Sequence, residues 1–358
     1  MTFEEARAQF PVFERFAYLN AGTFGPLARS VADAIAGEQR RALEEGRMNT
    51  KVFPRWLELR AQVRDGLAAT IGVPPERLAL TSSTTEACNV VVLGLGIEAG
   101  DEIVTTDSEH PGLMLPLIAS GAKLEIAPVR ELDPADLLEA LLARVTARTK
   151  LIALSHVTWV NGTVLPWQEA RERSGVPVLV DGAQSVGAIP VDASAADFYT
   201  VSAQKWLCGP DLTGALAVAD PERLRLAMPS TLSQQKLDLA LGTFEPRADA
   251  DRFDTSFTPL ASLEGLAATL GIHPEWRYER AREASDRCRE LLADRFDVVT
   301  PPKHGTLVSI RVDDPAARTK ELYERGVIVR DIPGTDLLRV SCGWWTSDGD
   351  LERLVAGL

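Results

Sequence analysis

The middle of the chain reads Val178-Leu179-Val180-Asp181-Gly182-Ala183-Gln184-Ser185 and, further on, Ser202-Ala203-Gln204-Lys205-Trp206-Leu207-Cys208-Gly209-Pro210. The first segment is typical of a short buried strand that ends in a carboxylate and an amide. The second segment places a lysine in a short polar insert before an apolar turn that glycine and proline punctuate. Lys205 therefore follows the acid at a strand end by 24 residues.

Around these segments, from about residue 65 to residue 220, short apolar runs alternate with helical segments. This alternation is typical of an α/β fold with a parallel sheet. We predict strands at 78–80, 102–106, 150–154, 178–180 and 215–218, and helices at 86–95, 134–144 and 167–173. Asp133 is the predicted N-cap of the second helix, with Pro134 at its first position.

Beyond about residue 260 the order of predicted helices and strands changes to one that is typical of a smaller α+β domain. The predicted elements are a helical segment at 262–296 interrupted near 273–274, strands at 306–312, 327–330 and 337–341, and a terminal helix at 348–358. We therefore expect an N-terminal segment, 1–20, that packs on the small domain. A large domain follows at 21–255 and the small domain at 256–358.

Composition and charge narrow the function classes. The 358 residues are 45% hydrophobic and 25% charged, as in ordinary globular enzymes. A net charge of −13 argues against a nucleic-acid or membrane partner. The N-terminus does not resemble a signal peptide, and no apolar run approaches a membrane span. The four cysteines form no CxxC pair and the four histidines are dispersed, so we expect a cytoplasmic protein without a metal site.

Lys205 and Asp181 together are the pair of side chains that pyridoxal phosphate (PLP) chemistry requires. A lysine amine binds the aldehyde of the cofactor, and a carboxylate stabilises its protonated pyridine nitrogen. Taken alone, a lysine is usually a solvated surface charge. The strand end before Asp181 and the apolar turn after Lys205 favour the catalytic interpretation.

Polar residues also follow or occupy other predicted strands. Thr81–Glu86 opens a helix, whose N-terminus favours an anion such as phosphate; the alternative is a simple cap in which Glu86 completes a capping box. His110 follows the strand at 102–106 and is either structural or stacked on a flat cofactor. Arg339 lies in an apolar strand, where an unpaired guanidinium is costly. It therefore either joins a structural ion pair or clamps a substrate carboxylate.

These features resemble the class V aminotransferase family of fold-type I PLP enzymes, which includes cysteine desulfurases, cystine C–S lyases, kynureninases and isopenicillin N epimerases. The similarity begins at Tyr18-Leu19-Asn20-Ala21-Gly22-Thr23-Phe24-Gly25-Pro26, includes Asp181-x-x-Gln184 and Ser202-x-x-Lys205, and ends at Leu338-Arg339-Val340-Ser341. It implies an α/β PLP-dependent transferase fold of type I. In that fold a large domain with a mostly parallel, seven-stranded type of sheet carries a smaller α+β C-terminal domain. Family members are homodimers whose active sites lie at the subunit interface.

The same resemblance implies roles for individual residues. Lys205 would hold PLP and move protons at the substrate Cα, Asp181 would pair with the ring nitrogen, and His110 would stack on the ring. The other implied contacts are Gln184 with the phenolic oxygen of PLP; Thr84, Thr85, Ser202 and Gln204 with its phosphate; Arg339 with the substrate carboxylate; and Asn20 and Trp159 with the substrate. Gln204 stands where desulfurases often have histidine.

Three departures from the family pattern bear on the reaction. Residues 329–336, where desulfurases carry a nucleophilic cysteine, form a short segment without one, and Cys342 is interpreted as a core residue. Trp159 replaces the desulfurase asparagine, as in the C–S lyase and epimerase-like branch, while Asn161 either faces the cofactor or makes the following turn. In the partner-subunit phosphate segment at 252–258, either Ser256 or Thr258 replaces the usual threonine.

The resulting hypothesis is a PLP-dependent carbon–sulfur β-lyase acting on cysteine, cystine or a cysteine S-conjugate, with pyruvate, ammonia and a thiol as products. The alternatives are an aminotransferase on a small amino acid and an epimerase, which would use the same residues. A persulfide-forming cysteine desulfurase is disfavoured because the cysteine is missing. Trp344 and Trp345 either shape the substrate pocket or pack between domains.

Overall fold

A computed structural model describes residues 1–255 and 257–358. Its helices are α1 Phe3–Arg7, α2 Arg29–Glu45, α3 Val52–Ile71, α4 Thr84–Gly94, α5 Pro111–Ala119, α6 Leu137–Leu142, α7 Trp167–Ser174, α8 Leu260–Leu270, α9 Arg277–Ala293, α10 Pro315–Glu324 and α11 Asp348–Gly357. Its strands are β1 Ala17–Tyr18, β2 Leu78–Thr81, β3 Glu102–Thr106, β4 Lys123–Ala127, β5 Thr149–Ser155, β6 Val178–Asp181, β7 Phe198–Ser202, β8 Gly214–Val218, β9 Gln234–Asp238, β10 Thr243–Pro246, β11 Leu307–Arg311, β12 Val327–Ile328, β13 Arg330–Asp331 and β14 Leu337–Ser341.

The centre of the molecule is a sheet that, among the described residues, has seven strands in the order β2-β8-β7-β6-β5-β3-β4. Only β8 runs antiparallel to its neighbours within this described sheet. The other strands therefore point the same way, and their carboxyl ends meet at one edge. The predicted α/β fold with a mostly parallel sheet is confirmed.

Both faces of this sheet are covered, as parallel sheets require. Val178 and Val180 point into one apolar core, which helices α3, α6, α7 and α8 complete. Leu179, between them, points to the opposite face, where helices α4 and α5 pack. Every residue of β6 is therefore buried, and the direction of the strand, parallel to β5 and β7, places Asp181 at the carboxyl edge of the sheet.

The C-terminal part builds an antiparallel sheet in the order β11-β14-β13. The N-terminal segment contacts it: β1 pairs in parallel with β12, and Asn20 bridges to Ser341 in β14. These contacts join residues near both ends of the chain. The division into 1–20, 21–255 and 256–358 stays a prediction.

Two predicted elements differ from the structure. The helix expected at 134–144 is only Leu137–Leu142, because the Asp133 carboxylate accepts the N–H of Ala135 at 2.9 Å and forms a turn instead of a cap. The strand expected at 327–330 is two short strands, since β12 pairs with β1 whereas β13 pairs with β14. No helix within the described ranges is long and apolar enough to span a membrane.

Candidate active site

The predicted site residues collect at the carboxyl edge of the central sheet. Asp181 is the last residue of β6 and Ser202 the last of β7, while His110 follows β3 and Thr84 follows β2. Open α/β sheets bind their ligands at this edge. The fold thus brings together residues that lie far apart in the sequence.

Lys205 lies in the turn after β7, partly buried and within electrostatic range of Asp181. Burial lowers the pKa of Lys205 to about 8, against the opposing effect of the Asp181 carboxylate. Burial also raises the pKa of Asp181, which the charge of Lys205 and the N–H of Ala183 oppose. A lysine whose pKa lies near neutrality is a usable base and amine nucleophile.

The N-terminal segment closes over this lysine turn. Gln184 donates from Nε2 to the carbonyl of Gly22 at 2.8 Å and accepts at Oε1 from the indole of Trp206 at 2.9 Å. The N–H of Gly25 donates to the carbonyl of Gln204 at 2.8 Å, and a Cβ at Gly25 would overlap the carbonyl oxygen of Lys205. Gln184 is therefore held on both sides and keeps one amide hydrogen for a ligand.

His110 is the N-cap of α5, and its Nδ1 accepts the N–H of Gly112 at 3.0 Å. This bond places the proton of the neutral ring on Nε2. Burial, followed by the charges of Lys205 and two arginines, lowers the pKa of His110 to about 4, so the ring is neutral at physiological pH. Its centroid lies 5.0 Å from that of Trp159 in an edge-to-face contact.

Glu109, which sequence reasoning did not single out, fixes the strand ends beneath His110. Its buried carboxylate accepts the Thr106 hydroxyl at 2.6 Å and the N–H and hydroxyl of Ser155 at 2.9 and 2.5 Å. It thereby joins the end of β3 to the end of β5. Burial raises the pKa of Glu109 to about 7, although these hydrogen bonds lower it. In the sequence, the indication of a role for Glu109 was its position directly before His110.

A candidate anion site lies at the start of α4. The first N–H groups of a helix have no intrahelical partner, so Thr84 and Thr85 present them outward. The buried hydroxyl of Thr84 and the buried Oε1 of Gln204 have no hydrogen-bond partner among the described residues. Ser83 caps the helix by accepting the N–H of Glu86 at 3.2 Å, but the Glu86 carboxylate accepts the N–H of Ser82 at 2.5 Å and not that of Ser83, so the predicted capping box is not formed. The Thr84 hydroxyl and the free N–H groups of the helix are donors and fit a phosphate, whereas Gln204 can bind a phosphate only through its amide nitrogen.

Arg339 is 1% exposed and is held by neutral groups. Its Nη1 donates to the carbonyl of Trp159 at 2.9 Å and its Nη2 to the hydroxyl of Thr23 at 3.2 Å. No carboxylate of the described residues lies within 4 Å of it. Burial, and next the charge of Arg330, lower the pKa of Arg339 to about 9. The structural ion pair considered for Arg339 is thus not formed among these residues.

Sequence reasoning also missed Thr23 and Arg330. The Thr23 hydroxyl donates to Asn20 Oδ1 at 2.7 Å and accepts from both Arg339 and Arg330, the latter at 3.3 Å. Asn20 and Trp159, both predicted at the substrate, therefore lie beside Arg339. Thr23 stands in the quoted N-terminal segment, but nothing in the sequence reports that it meets two arginines.

The structure also describes the surroundings of four further residues from the sequence analysis: Asn161, Thr258, Trp344 and Trp345. Asn161 makes the turn: its Oδ1 accepts the hydroxyl of Thr158 at 2.6 Å and that of Thr163 at 2.9 Å. Thr258 is buried, with its carbonyl bonded to the indole of Trp56 at 3.0 Å, whereas Ser256 lies outside the described residues. Trp344 and Trp345 are buried in an aromatic cluster with Phe10, which supports the packing interpretation.

Comparison with known proteins defines the class. Residues 20–331 match the family model described as aminotransferase class-V. Isopenicillin N epimerase of Streptomyces clavuligerus is 32% identical over 99% of this chain and 97% of its own length. A cysteine desulfurase of Enterobacter sp. (strain 638) is 34% identical over 77% of this chain and 74% of its own.

Among solved structures, the cystine C–S lyase C-DES, in complex with its reaction product cysteine persulfide, has a TM-score of 0.88 at 28% identity and covers 97% of this chain and 98% of its own. A mutant of C-DES with glycine covalently linked to the PLP cofactor has a TM-score of 0.87 at 28% identity, covering 98% of each chain.

The chain therefore belongs to the class V aminotransferase family. The predicted fold, of PLP fold type I, and the predicted family are confirmed, and PLP is the cofactor of this family. The curated relatives include cysteine desulfurases, so the comparisons support that activity as well, although the sequence analysis disfavoured it. The individual residue roles, the homodimer and the cytoplasmic location stay predictions.

Proposed function

We propose that this chain is a PLP-dependent β-lyase that cleaves the C–S bond of cysteine, cystine or a cysteine S-conjugate. The observation that carries the choice of reaction is the state of its thiols. All four cysteines are buried, and burial raises the pKa of the Cys208 thiol well above its usual value. An inert, buried thiol is a poor nucleophile, whereas β-elimination requires none.

The site residues fit the cofactor and its amino-acid substrate. Lys205 would hold PLP, Asp181 would face its ring nitrogen, and His110 would lie on its ring, with Gln184 at the phenolic oxygen. Thr84, Thr85, Ser202 and Gln204 would hold the phosphate. When bound, PLP supplies an electron sink for the bonds at the substrate Cα.

The protein's own residues would then do the following. Arg339 binds the substrate carboxylate, beside Asn20 and Trp159, and orients the Cα–H bond towards Lys205. Lys205 accepts the Cα proton, which its pKa of about 8 allows near neutral pH. The Cβ–S bond breaks and its electron pair leaves with sulfur as a thiolate. The three-carbon enamine that is released hydrolyses to pyruvate and ammonia.

Cysteine desulfuration is the second candidate, because curated relatives carry that name. It requires a thiol that reaches the substrate sulfur, which residues 329–336 do not provide. Transamination and epimerisation use the same lysine and arginine, and the epimerase relative spans nearly the whole chain. These reactions differ in where the proton or sulfur goes and not in the residues present.

We further propose that the enzyme is a homodimer with a small amino acid as its substrate. Exposed apolar side chains of Phe53, Leu57 and Phe257 border a groove and supply a surface for a second copy. Light scattering after size-exclusion chromatography tests this proposal: a mass near 39 kDa, that of one chain, would contradict it.

Product analysis tests the reaction. The PLP-loaded protein is given cysteine, cystine and cysteine S-conjugates, and pyruvate, alanine and pyridoxamine phosphate are measured, with Lys205→Ala as the matched control. The proposal expects pyruvate with released thiol or sulfide, and none from the control. Alanine would indicate a desulfurase, and accumulation of pyridoxamine phosphate a transaminase.

A further inference from the structure

A chain of three polar side chains ends at the turn that follows β6. The Ser185 hydroxyl donates to the carbonyl of Gly182 at 3.1 Å. The Ser185 Oγ lies 2.7 Å from the hydroxyl of Tyr199 in β7. The same Tyr199 hydroxyl lies 2.8 Å from Nδ1 of His156, the residue after β5. The chain therefore ties the backbone of the turn to the two strands on either side of β6.

The direction of each hydrogen bond in this chain is fixed. A carbonyl oxygen can only accept, so Ser185 gives its one hydroxyl proton to Gly182. Tyr199 must then donate to Ser185, and His156 must donate from Nδ1 to Tyr199. Burial raises the pKa of the Tyr199 phenol and lowers the pKa of His156 to about 4, so both groups are neutral at physiological pH. Removal of the phenol hydroxyl would therefore interrupt the chain at its centre.

The Gly182 backbone is held through β7 at both of its polar groups. Its N–H donates to the hydroxyl of Thr200 at 3.2 Å, and its carbonyl accepts the chain that comes from Tyr199. The Tyr199 ring also packs on the turn, because a Cβ at Gly182 would lie 2.4 Å from Cε1 of that ring. The turn thus has both a packing contact and a hydrogen-bonded contact with Tyr199.

This turn carries two of the proposed cofactor contacts. The N–H of Ala183 orients the Asp181 carboxylate through a bond of 2.8 Å to Oδ1, and Gln184 is the next residue along the turn. The charge of Asp181 further raises the pKa of Tyr199, which places the carboxylate within electrostatic reach of the phenol. Hydrogen bonds weaken steeply with misalignment. A shift of the turn would therefore turn Asp181 away from its partner.

We infer that Tyr199 is a positioning residue, which fixes the turn at 182–185 through Ser185 and so aims Asp181 at the ring nitrogen of PLP. The inference rests on the proposed PLP contact of Asp181 and is independent of the reaction that follows. It predicts that the Tyr199 hydroxyl affects the ring-nitrogen contact more than it affects general affinity for the cofactor.

The test compares the binding of PLP with that of 1-deazapyridoxal phosphate, in which carbon replaces the ring nitrogen. The full-length protein is stripped of cofactor and titrated with each compound, and absorbance gives the two Kd values. The variants are Tyr199→Phe, which keeps the ring on the turn, Ser185→Ala and the double variant. Tyr323→Phe is the matched control, because Tyr323 lies on α10 and is 57% exposed.

The wild type and the control should bind PLP about 10- to 100-fold more tightly than the deaza compound, the range for a charged hydrogen bond. Tyr199→Phe and Ser185→Ala should each reduce this preference about 3- to 10-fold. The double variant should lose no more than either single variant, since both changes interrupt one chain. Equal weakening of both compounds by Tyr199→Phe would overturn the inference, because the tyrosine would then act on the fold alone.

The ¹⁵N NMR resonance of the holoenzyme loaded with ring-labelled PLP gives a second readout. The wild type should show a protonated ring nitrogen, and Tyr199→Phe should move the resonance towards that of the unprotonated ring. An unchanged resonance would contradict the inference. No preference for PLP in the wild type would refute the proposed contact of Asp181 together with the inference. A preference that Tyr199→Phe fully retains would refute the inference alone.

Discussion

Replacing Arg339 by methionine should stabilise the substrate-free enzyme while it abolishes carboxylate binding. Burial without an anion, and next the charge of Arg330, lower the pKa of Arg339 from its ordinary value to about 9. At about 1.4 kcal/mol for each pKa unit, holding this cation costs on the order of 5 kcal/mol. The hydrogen bonds to Trp159 and Thr23 each offset about 1.5 kcal/mol of this cost. The apolar variant should therefore gain on the order of 2 kcal/mol, within the range found for other buried ionic groups.

The assay is urea unfolding of the holoenzyme, together with the thermal shift that butyrate produces. Arg339→Met should unfold at higher urea and show no butyrate shift. The exposed control Arg318→Met should change stability by less than about 0.5 kcal/mol and keep the shift. A loss of more than about 2 kcal/mol in Arg339→Met, with the butyrate shift retained, would refute the reasoning. Arg339 would then have an anionic partner within the protein.

Three further outcomes are expected. Uptake of PLP by the apo-protein should accelerate as pH rises through about 8, where Lys205 loses its proton. Asp181→Asn should move this transition to lower pH, because the charge of Asp181 raises the pKa of Lys205. A pH-independent rate of uptake would contradict this prediction. Gly25→Ala should weaken the retention of PLP on gel filtration, because the new Cβ would overlap the carbonyl oxygen of Lys205. The control Gly37→Ala places its Cβ in open space and should retain PLP as the wild type does. Equal retention by the two variants would argue against close packing of the N-terminal segment on the Lys205 turn. Cys342 should resist iodoacetamide in the folded enzyme and react only on unfolding, since its thiol is buried. Mass spectrometry measures the labelling. Rapid labelling of the native enzyme would favour cysteine desulfuration over β-elimination.

The central sheet could be predicted because its signal is local. The apolar runs at 103–104, 151–154 and 178–180 indicate parallel strands that are buried on both faces. The polar residues that end these strands then had to share one edge, which brought Asp181 and His110 to one site. β7 was missed although Phe198–Ser202 is rich in the aromatic and β-branched residues that are typical of strands.

The substrate side of the site could not be predicted, because it depends on contacts between distant parts of the chain. Thr23 meets Arg330 and Arg339 only after β1 has paired with β12. The break between β12 and β13 puts Arg330 opposite Arg339, yet the sequence at 327–330 predicts one continuous strand. Such pairings are set by tertiary packing, which overrides local strand preference.

The most direct test of the central claim locates the lysine that carries the cofactor. The holoenzyme is reduced with borohydride, digested, and its peptides are analysed by mass spectrometry. The account predicts a single pyridoxyl-phosphate adduct, on Lys205. An adduct on another lysine, such as the exposed Lys150 or Lys236, or no adduct in a protein that still consumes sulfur amino acids, would contradict it.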